Sequence, residues 1–252
     1  MSLGIIIQAR TGSSRLPGKM IQEFHNGLSL LEVILIPIKE ISEKLDLPFI
    51  VATSDDSKDD DLAKLVSENG VKLFRGSEND VLKRFIGAAE LYDLDKIIRI
   101  CGDNPFIQIS ELERLIENFG NSTVDYMSFK VDGDPSILTH FGFWTEGVSI
   151  EALRKVFRQT SEVFYHEHVT NFIYNNPDSY KIEWLPTDEI FEGRKDIRLT
   201  IDTIEDFEIS KFIYQTLSQN NLEISISGLF KYLDSNAEIL NRMKQSIKRN
   251  RK

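Results

Sequence analysis

Between residues 4 and 101 the sequence alternates short apolar runs with longer segments whose apolar residues recur at helical spacing, and few folds accept that rhythm. The short runs are Gly4–Ala9, Phe49–Thr53, Val71–Phe74 and Lys96–Cys101, largely apolar along their length as strands buried on both faces are. Between them Leu28–Lys44, Ser57–Asn69 and Asn79–Tyr92 read as helices, the last with Val81, Leu82, Phe85, Ala88 and Ala89 on one face. Pro37 is expected to kink or divide the first helix, and Gly70 to stop the second in a left-handed turn. Strand–helix units in succession imply an α/β sheet, parallel and wound in the Rossmann manner with strand order 3-2-1-4.

Past residue 120 the rhythm changes. Val124–Phe129 reads as a strand, and Val131–Thr145, rich in Gly, Asp, Pro and aromatics, as loop or short strands. Helices are expected at Ile150–Arg158, His166–Asn175, Ile204–Leu217 and Ile226–Leu233, with strands at Lys181–Leu185 and Arg198–Ile201. Residues 243–252 form a basic stretch, expected to be a solvated or frayed end.

A net charge of −10 argues against broad affinity for nucleic acid or an anionic membrane, so any anionic ligand needs a local basic cluster. The single cysteine, Cys101, excludes an intramolecular disulfide and a cysteine-based zinc site. The apolar run Leu28–Ile38 is interrupted by Glu32 and too short to span a bilayer, and no export signal is visible; a cytoplasmic location is expected.

The basic cluster follows the first strand. Residues 8–19, QARTGSSRLPGK, carry Arg10, Arg15 and Lys19, with no acid before Glu23. Gly12, Ser13, Ser14 and Gly18 let the backbone approach a ligand and supply N–H and hydroxyl donors, while the cations neutralise charge, which together suits a triphosphate. The glycine spacing is neither that of a Walker A loop nor that of the dinucleotide fingerprint.

Two aspartates complete the pattern. Asp103 follows the strand ending at Cys101, beside the first strand in the expected order, so that it faces the basic loop across one crevice. Asp202 follows the expected strand Arg198–Ile201. Two hard oxygen ligands beside phosphates suit magnesium, which takes few protein carboxylates and leaves its other positions to ligand and water. Asp103 could also simply form a turn, and Asp202 cap the next helix; Glu205 and Asp206 fall in that helix's first turn and read as structural. Asp55, Asp56, Asp59, Asp60 and Asp61 read as capping and solvated charge at a helix start.

Ala9-Arg10 with Ser14-Arg15-Leu16-Pro17-Gly18-Lys19 resembles the nucleotide-binding motif of the sugar cytidylyltransferases, which include the synthetases that activate 3-deoxy-manno-octulosonate and sialic acid with CTP. The spore-coat polysaccharide (SpsF-type) branch is the nearest in pattern. Matching motifs continue in order through Ala52–Asp55, Phe74–Ser77, Asp80–Arg84, Arg99–Pro105 and Thr200–Asp206. The resemblance implies a nucleotide-diphospho-sugar transferase (GT-A-like) fold, with a mixed, mostly parallel sheet, helices on both faces and a smaller acceptor and dimerisation lobe. It implies one nucleotidyltransferase domain over 1–252: a nucleotide-binding half (1–120), an acceptor-facing lobe (121–195), a return to the core with the second metal aspartate (196–240) and the basic tail (241–252). It implies transfer of CMP from CTP to a sugar or keto-deoxy sugar acid with release of pyrophosphate, and a homodimer. Mg2+ would sit on Asp103 and Asp202. Arg75 and Arg84 would lie near the nucleotide with Ala9, Arg10, Gly12, Ser13, Ser14, Arg15 and Lys19.

For the acceptor, the best candidates are His140–Glu146, with Phe143, Trp144 and Glu146, and His166–Thr170, with Glu167 and His168, because sugars are bound by aromatic faces plus fixed polar groups; core packing is an equal alternative for the aromatics. His166 and His168 do not share a helical face, so they read poorly as a zinc pair. Cys101, Asn104 and Ile204 depart from the residues relatives tend to carry, and none of these changes removes a charged group. A metal-dependent glycosyltransferase remains an alternative, although Cys101-Gly102-Asp103 lacks the first acid of Asp-x-Asp; so does a catalytically silent nucleotide-binding partner.

Overall fold

The computed structural model describes residues 1–220 and 224–250. The central sheet uses β1 (Leu3–Gln8), β4 (Phe49–Ser54), β5 (Lys72–Gly76), β6 (Lys96–Cys101), β7 (Tyr126–Val131), β8 (Asp134–Pro135), β9 (Glu146–Ser149) and β10 (Ile182–Pro186), while β2 (Glu23–His25) and β3 (Leu28–Ser29) pair separately. Strand order is β10-β7-β9-β6-β1-β4-β5, with β8 on β7. The segment β5-β4-β1-β6 is parallel and has the expected 3-2-1-4 order; β9 runs antiparallel between β6 and β7 and makes the sheet mixed.

Alternation along β1 divides the core. Ile5 and Ile7 face a layer formed by helices α1 (Leu30–Lys44), α2 (Asp60–Glu68), α4 (Ile109–Asn121), α8 (Ile204–Gln219), α9 (Ile226–Asp234) and α10 (Ala237–Arg249), whereas Ile6 faces α3 (Val81–Leu91), α5 (Ile150–Gln159) and α7 (Asn171–Asn175). Among the described residues no helix is long and apolar enough to cross a membrane.

Several expectations change. Pro37 does not divide α1, which begins two residues late because Leu28–Ser29 pair with β2 and Ser29 supplies a capping box with Glu32. The helix expected at 166–175 is two short ones, α6 (Val163–Glu167) and α7, broken where Val169 takes a φ of 34°. Residues 198–201 form no strand: Leu199 N–H bonds to the His140 carbonyl and Ile201 N–H to that of Asp103. The basic tail is helical through Arg249, which pairs with Glu205 at 2.9 Å; Arg251 and Lys252 lie outside the described residues.

Candidate active site

The carboxyl ends of β1, β4, β5 and β6 share one edge, and the segments leaving them form the rim of a crevice. Gly102 brings the β6 rim against β1, since a Cβ there would stand 2.7 Å from the Gln8 carbonyl oxygen. The loop after β1 is organised around Thr11, whose carbonyl accepts from Ser13 N (2.8 Å) and Gly18 N (2.9 Å); Gly18, with φ 71°, turns the chain into the short helix that starts at Lys19.

Thr11 is in turn held by Asp59. One Asp59 oxygen accepts from Thr11 N and Oγ1, both at 2.6 Å, and the other from Ser54 N at 3.2 Å and from the Ser54 hydroxyl. Asp59 is 2 % exposed, so the reading of it as solvated is corrected. Burial alone would raise its pKa, but the hydrogen bonds from Ser54 and Thr11 hold the carboxyl below the usual range. Five carboxylates in seven positions gave no sign of which one turned inward. Asp56 does act as a cap, accepting from Lys58 N.

The loop cations each meet an acid from across the crevice. Lys19, 8 % exposed, donates to the Ile201 carbonyl and stands 3.9 Å from Asp103 Oδ2. Arg15 reaches Asp202 Oδ1 at 2.9 Å, and Arg10 approaches Glu167 at 3.5 Å and the Glu78 carbonyl at 3.4 Å. Leu16 anchors the loop in the core, while Gly12, Ser14 and Arg15 are exposed and Ser13 is half-buried; Ala9 is buried, its N–H on the Ala52 carbonyl.

The segments that carry Asp103 and Asp202 are tied together by the Ile201 N–H to Asp103 carbonyl bond at 3.0 Å. Asp202 does not cap α8: Thr203 does, in a capping box with Asp206. Asp202 Oδ2 is gripped instead by Arg198 at 2.7 Å, a buried guanidinium also fixed by Asp206 (2.8 and 3.1 Å) and by His140 Nδ1 (2.8 Å). Asp206 is therefore structural, as expected. Arg198 was not singled out in the sequence, where only its spacing four before Asp202 marks it.

Arg75 is spent on structure, donating to the Ser54 and Asp56 carbonyls and to Asp60. Arg84 differs: it is 1 % exposed, one nitrogen donates to the Ser77 carbonyl, and Nε and Nη2 have no partner. Burial, then the neighbouring Arg10 charge, push its pKa down to about 10.

The acceptor candidates need correction. Phe143 and Trp144 pack with Phe141, Phe191 and Phe230 and are 0 % and 6 % exposed, so their faces serve the core. Glu146 is 1 % exposed and wholly engaged by Arg99, Tyr126 and Thr170, so it cannot itself touch a ligand. Glu167 does face the crevice through Arg10, while His168 is exposed with its ring against Phe164. His166 points elsewhere, to Asp80 (2.8 Å) and the Thr160 carbonyl (2.9 Å).

Residues 4–226 match the family described as Cytidylyltransferase. The chain is 38 % identical over 236 residues to an uncharacterised protein of Methanocaldococcus jannaschii, covering 94 % of this chain and 92 % of that one. It is 34 % identical, also over 236 residues, to the spore coat polysaccharide biosynthesis protein SpsF of Bacillus subtilis, covering 92 % and 94 %. A solved cytidylyltransferase structure from Leptospira borgpetersenii superposes with a TM-score of 0.80 at 28 % identity, over 95 % of this chain and 97 % of the other.

Proposed function

The chain belongs to the cytidylyltransferase family, and from that premise we propose that it transfers CMP from CTP to a sugar or keto-deoxy sugar acid and releases pyrophosphate. The observation that carries this reading is the crevice in which Arg10, Arg15 and Lys19 stand opposite Glu167, Asp202 and Asp103. An acceptor hydroxyl oxygen attacks the α-phosphorus in line and gives its proton to water, the bond from that phosphorus to the oxygen bridging the β-phosphate breaks, and pyrophosphate departs with the electron pair.

The donor set suits a magnesium ion: Asp103 and Asp202 lie on segments joined by the Ile201 N–H to Asp103 carbonyl bond, and Mg2+ takes one or two protein carboxylates and leaves its other positions to phosphate oxygens and water. When bound, Mg2+ would draw the α-phosphate and acceptor oxygens together and offset the charge that builds there. Arg10, Arg15 and Lys19 would hold the β- and γ-phosphates and the departing pyrophosphate, and the buried, unpartnered edge of Arg84 would take an acceptor atom of the nucleotide. Arg198 keeps the Asp202 carboxylate from turning away. No protein nucleophile is needed.

The test is a pyrophosphate-release screen of CTP, UTP, ATP and GTP with sugars and keto-sugar acids. Pyrophosphate release with CTP and one acceptor supports the reading; no pyrophosphate from any triphosphate, together with nucleoside phosphate freed from an added nucleotide-sugar, favours glycosyl transfer. Asp103→Ala is expected to abolish turnover, and equal rates in variant and parent would remove the metal assignment.

A further inference from the structure

Glu146 lies in β9 and gives all of its visible hydrogen-bonding capacity to the protein. One oxygen meets Arg99, directly opposite on β6, and the other accepts from Tyr126 Oη at 2.5 Å and Thr170 Oγ1 at 2.9 Å. Both partners of the ion pair are buried, at 6 % and 1 % exposure. A buried ion pair adds little stability over apolar residues of the same size, so stability does not explain this one.

What the network does is fix two pieces of the crevice. Arg99 Nη2 reaches Gln8 Oε1 at 3.4 Å. A guanidinium only donates, so Gln8 turns its carbonyl towards Arg99 and its amide N–H2 away, at the carboxyl end of β1 and next to Ala9-Arg10. Thr170, fully buried, follows Val169, a β-branched residue at φ 34°, a strained conformation that persists only where its surroundings impose it. The same turn carries Glu167, which faces Arg10.

The geometry points to Glu146 as the positioning residue of the acceptor side: through Arg99 it aims the Gln8 amide as a donor for a hydroxyl or carboxylate oxygen of the acceptor, and through Thr170 it holds the Glu167–Thr170 turn. The inference rests on the CMP-transfer reading for what the crevice binds, and on the network alone for the positioning.

The experiment uses the full chain with Glu146→Gln, Thr170→Val and Gln8→Leu. Hydrogen exchange over residues 167–172 should accelerate at least tenfold in the first two, while CTP affinity in magnesium stays within twofold of the parent in all three. In turnover with the acceptor found by screening, Gln8→Leu and Glu146→Gln should raise the acceptor KM at least tenfold and leave the CTP KM unchanged. Unchanged exchange, or CTP affinity falling in step with the acceptor KM, overturns the proposal. If Glu146→Gln fails to fold, Thr170→Val, which removes one hydrogen bond and keeps the shape, decides in its place. A parent protein that releases no pyrophosphate with any acceptor defeats the CMP-transfer reading, while the exchange result still decides the positioning.

Discussion

Replacing Asp59 with alanine should destabilise the protein and loosen its grip on a triphosphate together, because one carboxylate secures both the end of β4 and the loop after β1. The change strands the backbone N–H groups of Thr11 and Ser54 and two hydroxyls. The hydroxyls can turn to other partners, as Thr11 Oγ1 already does to the Lys58 carbonyl at 3.0 Å. The two N–H groups cannot, and at about 1–3 kcal/mol for each buried donor left unsatisfied the loss comes to roughly 4 kcal/mol. Asp59→Asn keeps an acceptor for Thr11 but sets an amide N–H2 against Ser54 N, for a loss of about 2 kcal/mol. Denaturant unfolding at pH 7 measures both, and calorimetric titration with CTP should show binding weakened about tenfold, or about 1.4 kcal/mol. The folded-state pKa of Asp59 is lowered, so its contribution is complete above an unfolded value of about 4 and fades as pH falls through the folded value; parent and Asp59→Asn should converge in strong acid. An alanine variant within about 1 kcal/mol of the parent, or one destabilised with CTP affinity intact, refutes the reasoning.

His166 has an acceptor at each ring nitrogen, and although burial opposes the charge, the Thr160 carbonyl and Asp80 raise its pKa; the stability this gives is full below about pH 6.5 and is lost as pH rises through the folded value. His166→Gln should flatten that part of the stability profile, and an unchanged profile between pH 6 and 9 would dismiss the imidazolium. Arg84→Met should leave the melting temperature of the free protein unchanged or higher, since it removes a buried charge with two unpartnered nitrogens, yet weaken CTP at least tenfold; weakened folding with normal CTP binding would reverse that assignment. Asp202→Asn should bind CTP about tenfold more weakly than the parent in magnesium but about tenfold more tightly in EDTA, where the parent's carboxylate only repels phosphate, each about 1.4 kcal/mol. Titration in both buffers checks this, and a variant weaker in both would count against Asp202 as a ligand.

The parallel half of the fold was legible because its strands are buried on both faces and its helices amphipathic, so residues 4–101 carry their own period. The two halves of the candidate site stood out for a related reason: Arg10, Arg15 and Lys19 are crowded into one acid-free loop, and Asp103 and Asp202 each follow an apolar run. What could not be read was anything settled across the sheet. The aromatic run from Phe141 to Trp144 has a composition equally suited to a sugar platform and to a core, and contacts with Phe191 and Phe230, distant in sequence, decided for the core. Glu146 was read as touching the acceptor yet is buried among protein partners, because only the antiparallel pairing of β9 with β6 sets it against Arg99. Residues 198–201 show the reverse error, an apolar run that bonds to His140 and Asp103 instead of a strand.

Charge pairing across the crevice explains how an acidic chain keeps three cations in one short loop. Three like charges in one short loop would repel, but each is matched by a carboxylate that the ligated state would use differently. On the CMP-transfer reading, a phosphate taking Arg15 would free the Asp202 carboxylate oxygen that Arg15 holds, and that oxygen would be available to a cation arriving with the phosphate. On that reading electrostatic selectivity would lie in the requirement for both partners at once: a bare anion would face Asp103 and Asp202, and a bare cation would face Arg15 and Lys19. Arg198 makes this exchange possible, because its buried grip on Asp202 Oδ2 and on Asp206 holds the carboxylate in place while Oδ1 changes partner.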